Sequence, residues 1–308
     1  MTTYPPSPDS NDISASQVHQ LLKSPTLITR RLAVVLQQKF VADYLLQGRF
    51  LAQGGTVAYE TGEPIYANDA PEIVSPGGEY PLTTISTDAQ IAQVKKWGEG
   101  TEVTDEAIAR LQLAPVERAI ATIGNSIQRH TDSVAMAVIA SAVTNTFDVA
   151  AAGHGGAWTT SDAIVTSVLH AKALAEEDGR GINYDTVVLS PLQYAKAMST
   201  LIAGDVFPRE AQGNPLTTGS FPQFAGMTWI STPHVAGTPQ PMLVDTTRLG
   251  GMASENLGDP DFKMAPSGIE AHVQRISDRD AYLVRGRRIT VPIVVEPRAA
   301  VWISGAYA

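Results

Sequence analysis

Residues 65–86 read "IYANDAPEIVSPGGEYPLTTIS", and they lie inside an interval with an unusual charge pattern. Between Arg49 and Lys95 there is no Lys, Arg or His, while Glu60, Glu63, Asp69, Glu72, Glu79 and Asp88 supply six acids. The interval is rich in Gly, Pro, Thr and Tyr and shows no apolar repeat at helical spacing. "GGTVAYETGEPIYAN" alternates and breaks at Gly and Pro, and "SPGGEYPLTTIS" does the same after its Pro-Gly-Gly turn. The pattern is that of a long two-stranded ribbon with an irregular tip. Arms of about 20 residues would reach roughly 60 Å at 3.3 Å per residue. An isolated ribbon is marginal in water, so this one needs another surface to lie on.

The flanking segments are more regular. Residues 1–12 read as a loose arm, and Ser14 to Leu22 carries a short helical pattern. Ser24-Pro25 supplies a cap and first-turn proline for a helix through "TLITRRLAVVLQQKFVADYLL", ending near Gly48. Beyond the ribbon, helix resumes with "TDEAIARL", capped by Thr104 or Asp105. After Pro115, residues Val116, Ile120, Ile123, Ile127, Val134 and Val138 recur at helical spacing. Running to about Val143, this rod is roughly 42 Å long at 1.5 Å per residue. The Gly/Ala-rich "AAGHGGAW" then leads to a helix with Ser161 as the expected cap, Ile164, Val168 and Ala171 on one face, and Gly179 as stop. "YDTVVLS" reads as a strand, with Ser190 and Pro191 opening the next helix. "FAGMTWISTP" and "PMLVDTTRL" read as further strands, so 160–250 is a mixed α/β domain. Near the C-terminus Ile269, Ala271 and Val273 alternate with Glu270, His272 and Gln274, which buries one face of a strand.

With 308 residues, 44% hydrophobic and 17% charged, the chain can bury one large core or two modest ones. A net charge of −9 argues against a wholesale nucleic-acid or anionic-membrane binder. The absence of cysteine removes disulfides, thiolate metal sites and cysteine nucleophiles. The start "MTTYPPSPDSND" has no basic or apolar leader pattern, and "VAMAVIASAV" at 134–143 is too short to span a bilayer. The expectation is a soluble protein kept on the cytoplasmic side.

Catalytic signatures are sparse. "GEGTEV" at 98–103 lacks the third glycine and the strand–helix context of a dinucleotide loop, so it reads as an ordinary loop. "GHGGAW" at 153–158 reads as a flexible hinge, with no Lys-Ser/Thr pair following and no second histidine expected near it. His19, His130, His154, His170, His234 and His272 never adopt a metal-ligand spacing. "EEDG" at 176–179 and "SDRD" at 277–280 lack the alternating acids and closing Glu of a calcium loop, and read as turns or helix ends. No catalytic residue, metal ligand or cofactor is therefore expected, and an enzyme has no support.

The order of segments resembles the major capsid proteins of tailed phages with the Hong Kong 97-type fold. In detail it looks like those of actinobacterial phages, through "GRFLAQGGTVAYE", "PGGEYPLTT", "KKWGEGTEVTDEAIARL", "DSVAMAVIASAV", "VVLSPLQYAKAM" and "VPIVVEPRAAVW". These span roughly residues 24–303 in the family's order. The resemblance implies an α+β shell subunit with an N-terminal arm and helix (1–50), an extended β-hairpin E-loop (51–94), and a P-domain with a long spine helix (95–145). An α/β A-domain (146–258) and returning P-domain strands (259–308) complete it. It further implies self-assembly through pentamers and hexamers into an icosahedral shell around double-stranded DNA, a place in the virion, and assembly in the host cytoplasm. Scaffolding, portal and decoration proteins are the other implied partners, with no membrane. Encapsulin compartments share this fold and form the alternative, followed by an unrelated soluble enzyme.

In such shells the ribbon lies across a neighbouring subunit, which supplies its missing core. The residues themselves point to a partner surface. Arg275, Arg279, Arg285, Arg287 and Arg288 crowd one segment against Asp278 and Asp280. They complement an acid-only ribbon with Glu60, Glu63, Asp69, Glu72 and Glu79; the alternative is that they blunt a strand edge. Two departures from relatives stand out. Crosslinking relatives use a ribbon Lys, a P-domain Asn and a nearby Glu, yet this ribbon has no Lys and no Asn follows Asn256. Asp280 and Arg287 fall near the Asn and Glu positions, so autocatalytic crosslinking is not expected. The short segment before the ribbon implies a separate scaffolding protein or a cleaved prefix.

Overall fold

The computed structural model describes residues 15–23, 40–61, 73–74, 76–77, 79–80, 88–111, 113–204, 223–235, 240–265 and 268–307. The expected arm, most of the helix from residue 25 and most of the ribbon tip, including Glu63, Asp69 and Glu72, lie outside them. The chain divides into two compact units. One comprises 1–40, 94–132 and 254–290; the other comprises 41–93, 133–253 and 291–308.

The first unit is built on the strand Ala281–Val294, whose residues 281–287 lie between two antiparallel neighbours, Glu270–Ile276 and Lys95–Thr104, the latter pairing on to Thr290. One face of this sheet receives the spine helix Ala114–Ala142, 29 residues long with Pro115 in its first turn. Val116, Ile120, Ile123 and Ile127 of that helix close a core with Tyr282, Val284, Ala271 and Ile269. Val18 and Leu22 of the helix Ala15–Leu22, and Ile108 of the helix Asp105–Leu111, complete it. Thr104 caps the latter by accepting the Ala107 N–H at 3.3 Å. Val116, Ile120, Ile123 and Ile127 thus bury the first part of the stripe that the sequence marked, whereas Val134 and Val138 are only half-buried.

The strand Lys95–Thr104 departs from the expected loop. Gly98 and Gly100 dilute its alternation, and its partner lies far away in sequence, so no local pattern reveals it. Those glycines sit where the neighbouring backbone comes close. A Cβ on Gly98 would stand 3.1 Å from the Gly286 carbonyl oxygen and 3.2 Å from the Arg287 Cβ.

The second unit holds a six-stranded sheet in the order Thr146–Asp148, Ala300–Ser304, Met242–Val244, Thr186–Leu189, Met227–Ser231, Gln223–Phe224. Its inner strands are buried on both faces because both are covered, while the edge strands Thr146–Asp148 and Gln223–Phe224 keep exposed positions. Val187, Leu189, Trp229, Leu243, Val301 and Ile303 enter one core with the helices Ser161–Glu177 and Pro191–Ala203. Val188, Ile230, Met242, Val244 and Trp302 enter the other, with Ala135, Met136 and Ile139 of the spine helix. Ser190 and Gln193 form a capping box ahead of Pro191, as the sequence indicated. Thr160, rather than the expected Ser161, caps the preceding helix, accepting the Ala163 N–H.

The strand Ala300–Ser304, which the sequence grouped with the returning strands from 259, instead joins this sheet. It pairs antiparallel with Met242–Val244 and parallel with Thr146–Asp148. Burial of Val301 and Ile303 on one face and Trp302 on the other fixes it there.

The base of the ribbon is an antiparallel pair, Thr56–Thr61 with Asp88–Gln93, in register from Thr56↔Gln93 to Thr61↔Asp88. Gly54 and Gly55, at φ +64° and +78°, turn the chain into its first strand, a geometry that favours glycine at both positions. Val57 is buried, but Ile91 is 74% exposed and Leu51, just before the turn, 85%.

Close approach of the spine helix to its sheet depends on Gly286. A Cβ there would lie 2.6 Å from Ile123 Cγ2 and 3.2 Å from Ile127 Cδ1. Gly286→Ala is expected to destabilise the unassembled chain by about 1–3 kcal/mol through overpacking. In a denaturant-unfolding double-mutant cycle, Ile123→Ala should offset part of that loss rather than add to it.

Candidate intersubunit interface

The five expected interface arginines take three different environments. Arg275 donates from its two terminal nitrogens to Asp105 at 2.5 and 2.6 Å and lies over the Tyr282 ring at 4.7 Å. This hydrogen bonding holds the Asp105 carboxyl below the usual carboxylate range against the opposing effect of burial, with smaller contributions from the Arg275 and His19 charges. His19 Nδ1 is 3.2 Å from the Tyr282 hydroxyl, so the same cluster receives the helix Ala15–Leu22. Arg279 reaches Glu102 at 3.2 Å and Arg285 donates to Gln274 Oε1 at 3.0 Å, both at the exposed surface.

Arg287 and Arg288 turn inward. Arg287 donates from Nε to Glu270 at 2.6 Å, approaches Asp259 at 3.2 Å and stacks 3.5 Å above the Phe262 ring. Arg287 is only 7% exposed and Glu270 6%. Arg288, 4% exposed, lies over the Phe40 ring at 4.3 Å. These two arginines are therefore buried with partners inside their own unit, whereas Arg275, Arg279 and Arg285 are exposed, Arg275 held by Asp105 and Arg279 by Glu102. Glu270, Asp259 and Phe262 escaped the sequence reading. Glu270 sat on the strand face assigned to solvent, and its only clue was the cross-strand register with Arg287.

On the ribbon side, Glu60 and Glu79 are exposed and in no ion pair among the described residues. Tyr80 is 82% exposed and Ile73 fully so. Leu51 and Ile91, at the base of the ribbon, are exposed as well.

The expected hinge at 153–158 is more ordered than its glycines implied, and a second histidine does lie beside it. His154 stacks on Phe147 with ring centres 4.3 Å apart, and its Nδ1 is 2.6 Å from the Asp148 carbonyl oxygen. His170, on the helix Ser161–Glu177, meets His154 edge-on at 4.7 Å, and its Nδ1 is 3.1 Å from the Gly153 carbonyl oxygen. Trp158 is buried and donates to Ser167 Oγ at 2.7 Å. Sixteen residues separate the histidines, so only the fold brings them together. Among the described residues no group of three or more His, Asp or Glu is placed to hold a metal ion.

Spine helix, antiparallel sheet, α/β unit and paired ribbon strands define a shell-subunit architecture, the Hong Kong 97-type capsid fold. A family model described as phage capsid protein matches residues 87–303, and the chain belongs to that family. It is a major capsid protein, the subunit of a viral shell. Solved structures agree on the fold. The capsid of cyanophage P-SCSP1u has TM-score 0.59 at 14% identity, over 89% of this chain and 90% of that one. Mycobacterium phage Che8 has TM-score 0.53 at 15% identity, over 83% and 86%. A holo-encapsulin complex from Synechococcus elongatus has TM-score 0.55 at 14% identity, over 91% and 89%. No curated protein matches in sequence.

The two classes of arginine predict opposite responses to truncation. Arg287→Ala leaves Glu270 charged and buried without its partner, and should cost about 3–5 kcal/mol in chemical unfolding of the free subunit. Arg285→Ala removes an exposed hydrogen bond and should stay within about 0.5 kcal/mol of the parent.

Proposed function

We propose that this major capsid protein builds an icosahedral shell of pentamers and hexamers around packaged double-stranded DNA, with the ribbon at 51–94 acting as an E-loop laid across a neighbouring subunit. The observation that carries this reading is the ribbon itself. Leu51, Ile73, Tyr80 and Ile91, all within residues 51–94, are each at least 74% exposed. Uncovered apolar surface of that kind marks an association site, and burying it stabilises by about 25 cal/mol per Å². A neighbouring copy supplies the cover. The charges on the ribbon contribute less; single exposed pairs are worth about 0–1 kcal/mol, and repetition around a closed shell multiplies them.

The outward-facing Arg279 and Arg285 are the arginines suited to meet the ribbon acids Glu60, Glu63, Asp69, Glu72 and Glu79. Arg275, Arg287 and Arg288 serve chiefly to hold the subunit that presents them. In this reading the spine-helix unit is the P-domain and the six-stranded unit the A-domain, and the role is structural rather than catalytic. Assembly takes place in the host cytoplasm with scaffolding and portal proteins. A decoration partner is also consistent with this fold, since a solved assembly of phage G combines major capsid proteins with decoration proteins. The encapsulin alternative shares the fold, but the phage capsid family match favours the viral shell.

Replacing residues 62–87 by a short turn spares the paired strands Thr56–Thr61 and Asp88–Gln93. The expected product is a folded, soluble subunit that forms no particles under negative-stain microscopy. Normal shells from this variant would remove the ribbon from the assembly mechanism.

A further inference from the structure

The exposed flank of the spine helix carries a pattern that the ribbon does not account for. Arg118, Thr122, Asn125 and Arg129 follow at steps of four, three and four residues, so they form one stripe, and all four are exposed. The two arginines are about 16 Å apart along the helix at 1.5 Å per residue. The strand Lys95–Thr104 runs beside this flank. Trp97 meets His130 edge-on with ring centres 4.3 Å apart. The exposed Lys95, two residues earlier on the same strand face, extends the stripe.

Lys95, Arg118 and Arg129 make no ion pair among the described residues, whereas Arg275, Arg279 and Arg287 of the same unit each engage a carboxylate. The acids near the stripe are few. Glu99 and Glu102 line the groove beside Arg118, and Glu102 is already engaged by Arg279. Asp132 is 4% exposed, and Glu117 is half-buried. A chain of net charge −9 thus keeps uncommitted cations, flanked by hydroxyl and amide donors, on one helical face.

We propose that this stripe is a docking surface for the phosphate backbone of double-stranded nucleic acid. The proposal rests on the reading of the chain as a shell around DNA, and assigns that contact to particular residues. Backbone recognition needs cations and hydrogen-bond donors and no base-reading side chain, which is the chemistry present. The acidic ribbon of a second copy is a poorer match. Its exposed Leu51, Ile73, Tyr80 and Ile91 need apolar cover, and the stripe exposes no apolar side chain.

The test uses the full chain kept unassembled, with a labelled duplex of about 30 base pairs, its binding followed by fluorescence anisotropy between about 50 and 200 mM salt. Arg118→Gln combined with Arg129→Gln should make the slope of log affinity against log salt shallower by about 2, since each phosphate contact contributes about 0.9. Melting temperature and particle yield should remain those of the parent. Arg279→Gln combined with Arg285→Gln should leave the slope unchanged. An unchanged slope in the first variant, or no salt-dependent binding by the parent, overturns the proposal. Lost particle assembly with unchanged binding also overturns it, by giving the stripe to a subunit contact. The shell reading is tested separately by particle formation in the parent chain; its failure alongside the expected slope change would leave the stripe standing.

Discussion

How closely the spine helix can approach its sheet governs the first unit, and a single missing side chain sets that distance. Gly286 lets Ile123 and Ile127 settle directly on the strand backbone, so the sheet and the spine helix, with the two short helices Ala15–Leu22 and Asp105–Leu111, enclose a continuous apolar layer. On the opposite face, the same strand carries Arg287, whose charge is tolerated only because Glu270, Asp259 and the Phe262 ring surround it. A buried pair of this sort adds little net stability over an apolar substitute, but breaking it is costly. It therefore pins the Glu270–Ile276 strand and the 259–262 segment in one arrangement.

That rigidity suits a shell subunit. Each unit closes its own core, and the second does so on both faces of its sheet. Among the described residues the four most exposed large apolar side chains, Leu51, Ile73, Tyr80 and Ile91, fall on the ribbon, while Leu192, Leu111, Met264 and Leu257 are more than half exposed elsewhere. In the proposed shell, electrostatic contact with neighbours falls to exposed arginines such as Arg279 and Arg285, where salt screens it strongly.

The sequence disclosed those parts of the fold whose signals are local. Pro115 and the apolar repeat after it marked the spine helix, Ser190-Pro191 marked a helix start, and the acid-only interval marked the ribbon. Features fixed by distant pairing stayed hidden. The strand Lys95–Thr104 has two glycines where alternation was sought, and the edge-on contact of His154 with His170 exists only after a helix returns beside the loop. The interface arginines show the same limit. Composition grouped five of them, but the partners decided which face solvent: Arg285 and Arg287 share one strand face, and only Arg287 is covered, by Asp259, Glu270 and the Phe262 ring. Thr160 displaced Ser161 as a cap because adjacent hydroxyls are equivalent in sequence and only backbone geometry distinguishes them.

The central claim is that a neighbouring subunit completes the ribbon. Amide hydrogen exchange across Thr56–Thr61 and Asp88–Gln93, compared between free subunits and assembled particles, tests it directly. The account predicts rapid exchange in the free subunit and strong protection in particles, with the strands of the six-stranded sheet protected in both. Equal protection of the ribbon in the two states would contradict it.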